Sequence, residues 1–597
     1  MRVLVSTCMI AVTLCVGLCH DSASAASPEK IKVESISFYG NSAYTERRLS
    51  RVMITRTSRF LRAHRYREEI FQDDLKALEQ FYHQNGYLEA AITGYDVHVD
   101  STRATADILI TVSEGELTQV EGVSVLGNSI YPDSLLLEKI TIRAPEALQR
   151  RKIDNSTVRL LTFYADNGYL DADIRPDIRI NSETHRALVD YYVTEKNQFT
   201  IGGIRIQGLD KTREKVVMRE LRFSPYEVVN YSRLLESQRK IYMTGLFQSV
   251  FVRPQVSANG DSTKKDIIVD VKEGMSGEFN IAGGYGSVER VRGKVEVYNN
   301  NLRGTSLKLG LTGKMSFIQR GVELSFTNPW TFNTPIRTDM NLLQEQREEP
   351  GYDLVRTGGK LIVGRKYDSS NITLTYLHER TKLSNIKVAS IRDDQKLNTQ
   401  SLKLTYIHDT RDNLFNSTRG MFYETSSEVG WFFTERTSTF YRLTGLFRYF
   451  FPLNSLTVAA TSVEVGFIDA EGGIGSIPLH ERFYAGGPKS LRGFQYEKAG
   501  PLDRKRIPIG GKLKIVWNLL EIRRTLYKMV GGVVFTDIGN VWSKPEDVSL
   551  GDLRAASGLG LRVNTPIGLG RLDYGFNIDR RKDEPRGQLY FSMGQAF

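Results

Sequence analysis

The sequence predicts a transmembrane antiparallel β-barrel of about 16 strands, preceded by three small α+β domains of order β-α-α-β-β. Three observations carry that expectation. The chain opens on an export-type leader. Its first half repeats one set of markers three times. Its second half alternates apolar and polar residues from about residue 276 to residue 597.

Composition narrows the classes further. The 597 residues are 40% hydrophobic and 10% aromatic, with 28 Tyr, 28 Phe and 17 Pro, which is not the balance of a disordered chain. Mean hydropathy is −0.31 and there are 51 glycines, unlike a bundle of membrane helices. Cys8, Cys15 and Cys19 are the three cysteines, all at the start of the chain. A disulfide scaffold, a Cys–zinc site and a thiol nucleophile are therefore excluded once that segment is removed.

The leader comes first. Arg2 supplies a charge, Val3 to Cys19 is mostly apolar, and Ala23-Ser24-Ala25 offers small residues for cleavage. Residues 1–25 read as a secretory signal peptide. Leu18, ahead of Cys19, is too large for lipoprotein processing. No later stretch reaches the roughly 18 apolar residues of a spanning helix. A soluble exported protein and an outer-membrane barrel remain.

The repeats follow. Phe81-Tyr82-His83-Gln84-Asn85-Gly86-Tyr87-Leu88-Glu89-Ala90 recurs as Phe163-Tyr164-Ala165-Asp166-Asn167-Gly168-Tyr169-Leu170-Asp171-Ala172, and more loosely as Ile241 to Phe247. An opening marker ends in Gly40-Asn41, Gly127-Asn128 and Gly208; a closing marker is Val112-Ser113-Glu114-Gly115, Val193-Thr194-Glu195-Lys196 and Val271-Lys272-Glu273-Gly274. Within the first unit, Ile31, Val33, Ile36 and Phe38 suggest a strand. Ile70, Leu75, Leu78 and Phe81 have helical spacing, and Asn85-Gly86 supplies a stop. Alternation over Tyr95–Val99 and Ala106–Val112 predicts two closing strands. A small sheet of this kind offers edges for strand addition. The order and the markers resemble POTRA domains, the periplasmic modules of outer-membrane assembly and translocation proteins. The expected units are 29–116, 117–197 and 198–275.

From 276 to 597, segments of about ten residues alternate between breaks at Gly, Asn, Asp and Pro, as in Leu307-x-Leu309-x-Leu311 and Leu513-x-Ile515-x-Trp517-x-Leu519. Trp431-Phe432-Phe433 and Tyr449-Phe450-Phe451 suit the aromatic girdles at strand ends. Leu589, Phe591 and Met593 alternate and the sequence closes on Phe597, which resembles the C-terminal β-signal of barrel proteins.

Four further segments resemble the BamA/TamA superfamily of outer-membrane assembly and translocation proteins. They are Phe326-Thr327-Asn328-Pro329-Trp330; Asp409-Thr410-Arg411-Asp412-Asn413 with Thr418-Arg419-Gly420, where Ser417 replaces the usual proline; Gly486-Gly487 with Leu491-Arg492-Gly493-Phe494; and Phe535-Thr536-Asp537-Ile538-Gly539-Asn540-Val541-Trp542. The resemblance implies a long sixth loop, about 468–508, that folds into the lumen. There Arg492 would meet Glu521 and Asp537, Gly493 would allow a tight turn and Phe494 would pack on the wall. A guanidinium enclosed in this way needs paired acceptors. The first strand, with Gly277, Gly283, Gly284 and Gly286, and the last, with Met593 and Gly594, would form a weak lateral seam. Gly283 facing Met593 is the expected cross-link pair.

The function expected from the resemblance is insertion or translocation of β-barrel clients, autotransporters among them, by capture on the repeats and strand pairing at the seam. Three repeats favour a TamA-like role with a periplasm-spanning, inner-membrane-anchored partner of the TamB type. A BamA-like core insertase, a two-partner secretion pore and a passive porin or surface receptor are the alternatives. The expected setting is the outer membrane of a Gram-negative bacterium, in contact with its lipids. No catalysis, metal or cofactor is expected: the eight histidines are scattered and neither GxSxG nor a P-loop occurs. The run Arg47, Arg48, Arg51, Arg56, Arg59, Arg62, Arg65 and Arg67 reads as a solvated face or as a contact for anionic lipid. Behind a signal peptide, nucleic acid is not an expected partner.

Overall fold

A computed structural model describes residues 31–58, 64–257, 261–389, 394–414, 416–434, 437–565 and 568–594. The expected signal peptide, Arg59, Arg62 and Phe597 lie outside the described residues. No helix among the described residues is long and apolar enough to cross a membrane.

One compact unit runs to Gly203 and takes in 225–233 and 256–265. Its first repeat contains β1 (Lys32–Tyr39), α1 (Glu46–Val52), α2 (Glu68–Gln84), β2 (Ala91–Asp100) and β3 (Thr105–Ser113). The second contains β4 (Gln119–Leu126), α3 (Asp133–Lys139), α4 (Arg150–Asp166), β5 (Asp173–Asn181) and β6 (Arg186–Thr194). Each sheet places the last strand in the middle, β1-β3-β2 and β4-β6-β5. The uneven apolar spacing of β1 has a cause. A register shift between Val33 and Ser35 lets Val33, Ile36 and Phe38 all face the core. On α2 the buried face is Phe71, Leu75, Leu78 and Tyr82. Ile70 and Phe81, expected there, lie at its border, because the helix is turned by one position from the simplest reading.

The markers have a common geometry. Gly40 and Gly127 adopt φ of 84° and 83°, and a Cβ there would come within 2.1 and 2.6 Å of the Val112 and Val193 carbonyl oxygens. The closing glutamate then caps the loop that follows the glycine. Glu114 accepts the Ala43 N–H at 3.0 Å and the Tyr82 hydroxyl at 2.9 Å. Glu195 accepts the Ser129 N–H at 3.0 Å, the Ile130 N–H at 3.2 Å and the Tyr164 hydroxyl at 2.8 Å. Burial alone would raise the Glu195 pKa, but the hydroxyls of Ser129 and Tyr164 and the two N–H groups hold it below the usual carboxylate value. That contribution is present above the unfolded pKa and is lost as pH falls through the folded one. The Asn-Gly stop does a second job: Gly86 and Gly168 carbonyls accept the Thr118 and Phe199 N–H groups at 2.8 and 2.9 Å, joining each repeat to the next segment.

A second unit holds the rest of the third repeat and the barrel. The third repeat has β7 (Thr200–Gln207), α5 (Glu214–Met218), α6 (Tyr231–Met243), β8 (Phe247–Val256) and β9 (Lys264–Glu273), in the order β7-β9-β8. Ile241 stands where the other repeats carry the capping tyrosine, so Glu273 turns to backbone and accepts the Asp210, Lys211 and Thr212 N–H groups. In all three repeats the outer edge of the first strand is bonded by the loop between the helices, at Lys32–Arg65, Gln119–Ala147 and Thr200–Val228. The free edges are therefore β2, β5 and β8.

Sixteen antiparallel strands close the barrel. They are β10 (Gly277–Gly286), β11 (Arg290–Leu302), β12 (Leu307–Ser316), β13 (Gln319–Asn328), β14 (Arg337–Glu349), β15 (Tyr352–Tyr367), β16 (Ser370–Ser384), β17 (Gln395–Asp409), β18 (Gly420–Phe433), β19 (Ser438–Asn454), β20 (Thr457–Ala470), β21 (Leu513–Tyr527), β22 (Val530–Trp542), β23 (Arg554–Thr565), β24 (Gly568–Asn577) and β25 (Gly587–Gly594). The pleat divides each aromatic triplet. Trp431, Phe433, Tyr449 and Phe451 are exposed on the outer face, whereas Phe432 and Phe450 are buried inside, Phe432 stacked on Phe440 at 4.2 Å.

The third repeat is bonded to the barrel rim. Arg213 N–H donates to the Gly304 carbonyl and Asn301 Nδ2 to the Thr212 hydroxyl, both at 2.8 Å. Trp330 of the β13–β14 turn donates its indole N–H to Glu220 at 2.8 Å, with the Arg219 guanidinium 5.3 Å from its ring. Burial raises the Glu220 pKa against the opposing pull of Trp330 and Arg219.

Candidate functional site

The sixth loop leaves β20 at Ala470 and returns at Leu513, apart from two 3-10 turns without regular structure. Gly486 and Gly487 adopt φ of 110° and 103°, and the Gly487 N–H lies 3.2 and 3.1 Å from the Leu491 and Phe494 carbonyls, which folds the tip into a tight knot. Leu491 is fully buried with Ala485, Ala499, Val516, Val541 and Ala556. Small residues on the wall make that approach possible. A Cβ on Gly575 would lie 2.5 Å from the Gly493 nitrogen, and one on Gly493 2.7 Å from the Ala556 Cβ.

Arg492 is held on both sides of its planar fork. Nε and Nη2 donate to the two Asp537 oxygens at 2.7 and 2.8 Å, and Nη1 donates to Glu521 at 2.5 Å. Its own backbone N–H also reaches Asp537, at 3.2 Å. Asp537 is fully buried and Arg492 is 6% exposed. The guanidinium carbon lies 3.5 Å from the centre of the Phe535 ring. Burial alone would lower the Arg492 pKa, but the hydrogen bonds and charges of Asp537 and Glu521 outweigh it and raise it.

Glu521 reaches the lumen because β21 breaks its alternation. Lys514 and Val516 face inward and Trp517 and Leu519 outward. A register shift between Asn518 and Leu520 reverses the parity, so Glu521 and Arg523 point in, 2.6 Å apart. Simple continuation of Leu513-x-Ile515-x-Trp517-x-Leu519 would have turned Glu521 to the lipid.

Several residues of this site were absent from the sequence expectations. Phe535 could have been read from its place two residues before Asp537, on the same face of β22. Phe494 packs under Arg554, 4.6 Å from the ring centre, and Arg554 itself pairs with Asp579 and Glu584 at 2.6 and 2.5 Å. The Tyr590 hydroxyl donates to the Phe494 carbonyl, so the last strand touches the loop directly. Nothing local in the sequence marks these partners; they lie 60 or more residues away in the chain.

The seam differs in register from the expectation. Described pairing between β10 and β25 is three residues long: Gly284–Gly594, Tyr285–Met593 and Gly286–Ser592. Met593 therefore faces Tyr285, not Gly283. Among the described residues, Gly277 and Gly283 pair with β11, opposite Asn299 and Gly293. Leu589 and Phe591 are in β25, where they pair with Tyr574 and Leu572 of β24. Ser287 adds a clamp at the end of the seam, its N–H and hydroxyl donating to the Phe591 carbonyl at 2.8 and 2.9 Å.

The hairpin motif closes the β17–β18 turn. Arg411 pairs with Asp409 at 2.7 Å, and Asp412 accepts the Thr418 N–H at 2.9 Å. Ser417, in the proline's place, donates its hydroxyl to the Asn413 carbonyl at 2.6 Å and fixes the turn by that route. Among the described residues no group of His, Cys, Asp and Glu could hold a metal ion.

A family model described as the Omp85 superfamily domain matches residues 301–597, and the POTRA model, described as a surface antigen variable number repeat, matches 31–115, 118–196 and 199–274. The chain belongs to the Omp85 superfamily. Its three repeats are POTRA units on the periplasmic side of the outer membrane. The outer membrane protein assembly factor BamA of Nitratidesulfovibrio vulgaris is 25% identical over 89% of this chain and 68% of its own length. That of Neisseria meningitidis serogroup B is 24% identical over 95% of this chain and 78% of its own. The crystal structure of BamA from Haemophilus ducreyi lacking POTRA domains 1–3 superposes with a TM-score of 0.67, covering 80% of this chain and all of that one at 21% identity, and shares the fold.

Proposed function

We propose that this Omp85 protein assembles outer-membrane proteins: unfolded β-barrel clients are captured on the POTRA edges and enter the membrane by pairing with the open edge of β10. The observation that carries the reading is the seam, which among the described residues has three residue pairs, in a barrel whose β15–β16 ladder runs for fifteen. A strand edge released there presents a row of unpaired N–H and C=O groups to a client strand. Among the repeats, β2 is the best capture edge. Pro176 interrupts β5 and Pro254 interrupts β8, and each removes a donor, whereas β2 has no proline.

Two client ranges fit this chemistry. The relatives named BamA, matched along most of this chain, support a core insertase that serves many barrels. Three repeats support the TamA-like role, with a few autotransporter-type clients and a TamB-type partner. Depletion of the protein followed by proteomics of the outer membrane separates them. Loss of many barrels is the core-insertase result, and loss of a few autotransporter-type proteins is the TamA-like one. Loss of nothing but a solute flux would sink the assembly reading and indicate a porin.

A further inference from the structure

Beneath the sixth loop the lumen keeps a cavity of about 470 Å³. Ser455, Leu456, Lys528, Met529 and Asn564 line it. They lie at the β19–β20, β21–β22 and β23–β24 turns, which strand alternation puts at the same end of the barrel as Gly277. The cavity is therefore a vestibule open toward the periplasm.

Its charge is uneven. Arg411, Arg448, Arg492, Arg523, Arg524, Arg562, Arg571, Lys489 and Lys528 line it against three carboxylates, Glu464, Glu521 and Asp573. Each of those carboxylates is already engaged: Glu464 by Lys514 at 2.6 Å, Glu521 by Arg492 and Arg523, and Asp573 by Arg562 at 2.6 Å. Arg411 is held by Asp409. Among the described residues no carboxylate pairs with Arg448, Arg571, Lys489 or Lys528. Arg448 lies 5.8 Å from the Phe422 ring and feels Glu464 and Glu424 from beyond ion-pair distance, against the like charges of Arg411 and Arg523. Arg571 exposes its side chain to the vestibule between the like charges of Arg562 and Arg523 and the already engaged carboxylates Glu521 and Asp573. Uncompensated cations in a recess with low-dielectric walls focus a positive potential and draw anions.

We propose that this vestibule is a binding site for an acidic polypeptide segment, held through its Asp and Glu carboxylates by Arg448 and Arg571, with Lys489 and Lys528 at the margins. The barrel wall separates the recess from the bilayer, so a lipid headgroup has no direct route in, while a chain entering from the periplasm does. Phe450, Leu456, Met529 and Leu569 add apolar lining between the cations. That lining suits the uncharged residues of a peptide and gives nothing to a small inorganic anion. The site goes beyond the seam: it would select clients by charge before any strand is paired.

Binding of fluorescein-labelled hexaglutamate to the full-length protein in detergent, read by anisotropy, tests the site without any assembly reaction, so it can fail while the assembly reading stands, and the reverse. Saturable binding is expected, weakening as salt rises, with no binding of hexaglutamine. The R448Q/R571Q variant should bind about tenfold more weakly or worse, the loss of two charge-assisted contacts, and R448K/R571K should retain most of the affinity. A hexaglutamate carrying a photo-cross-linker should label the wild-type protein within 446–464, 523–533 and 562–573, a readout that needs no variant to fold. Equal affinity of the R448Q/R571Q variant, labelling confined to other regions, or binding of inorganic tripolyphosphate with none of hexaglutamate would overturn the proposal.

Discussion

Arg492→Ala is expected to destabilise the barrel by about 3–5 kcal/mol, the usual cost of removing one partner from a buried ion pair. The mechanism is specific. Asp537 is fully buried and its two oxygens point at the guanidinium, so truncation leaves that carboxylate with no counter-charge and facing the like charge of Glu521. It also frees the loop tip, because Leu491 and Phe494 lose the anchor between them. Asp537→Asn should be similarly harmful, since its amide would aim a donor at a group that can only donate. Arg492→Lys should fall between, because an ammonium cannot span Asp537 and Glu521 with a planar fork. The measurement is the temperature at which the folded barrel band is lost on unboiled gels. Double-mutant cycles between positions 492 and 537 should show strong coupling. Unchanged midpoints in both single variants would refute the clamp.

A disulfide across the seam is expected to stop client assembly. Gly284→Cys with Gly594→Cys places the two thiols on directly paired residues, a geometry that Gly283 with Met593 does not offer. The described seam holds three residue pairs plus the Ser287 clamp on Phe591. At a net 0.5–1.5 kcal/mol per hydrogen bond, opening it costs only a few kcal/mol by order of magnitude. Among the described residues no other join in the barrel is so short: β24–β25, the next shortest, has six pairs. The oxidised variant should lose nearly all activity and the reductant should restore it. Full activity of the oxidised form would place client entry elsewhere.

The strand and helix order of the repeats was legible because each marker does a local job. The glycine after the first strand must adopt positive φ, and the closing glutamate must face the loop that follows it. The 3.6-residue period located α2 and the Leu75 and Leu78 part of its buried face but missed Phe71 and Tyr82, since Ile70 and Phe71 are both apolar and packing chooses between them. In the barrel, the alternation predicted the strand class well and failed where a bulge reversed it. The family resemblance places Glu521 in the lumen beside the loop arginine; its strand pattern alone points the other way. The register of the seam was not legible either. Hydrogen bonding between strands some 300 residues apart depends on closure of the whole barrel, and the glycines of β10 mark a weak strand without fixing its partner. The vestibule cations, spread over four strands, two turns and the sixth loop, converge only in three dimensions.

Insertion of an unfolded outer-membrane barrel into proteoliposomes that contain this protein tests the central claim most directly. Proteoliposomes with the reduced G284C/G594C variant should fold the client several-fold faster than empty vesicles, and the oxidised variant should match the empty vesicles. A rate with the reduced protein no faster than that of empty vesicles would contradict the account.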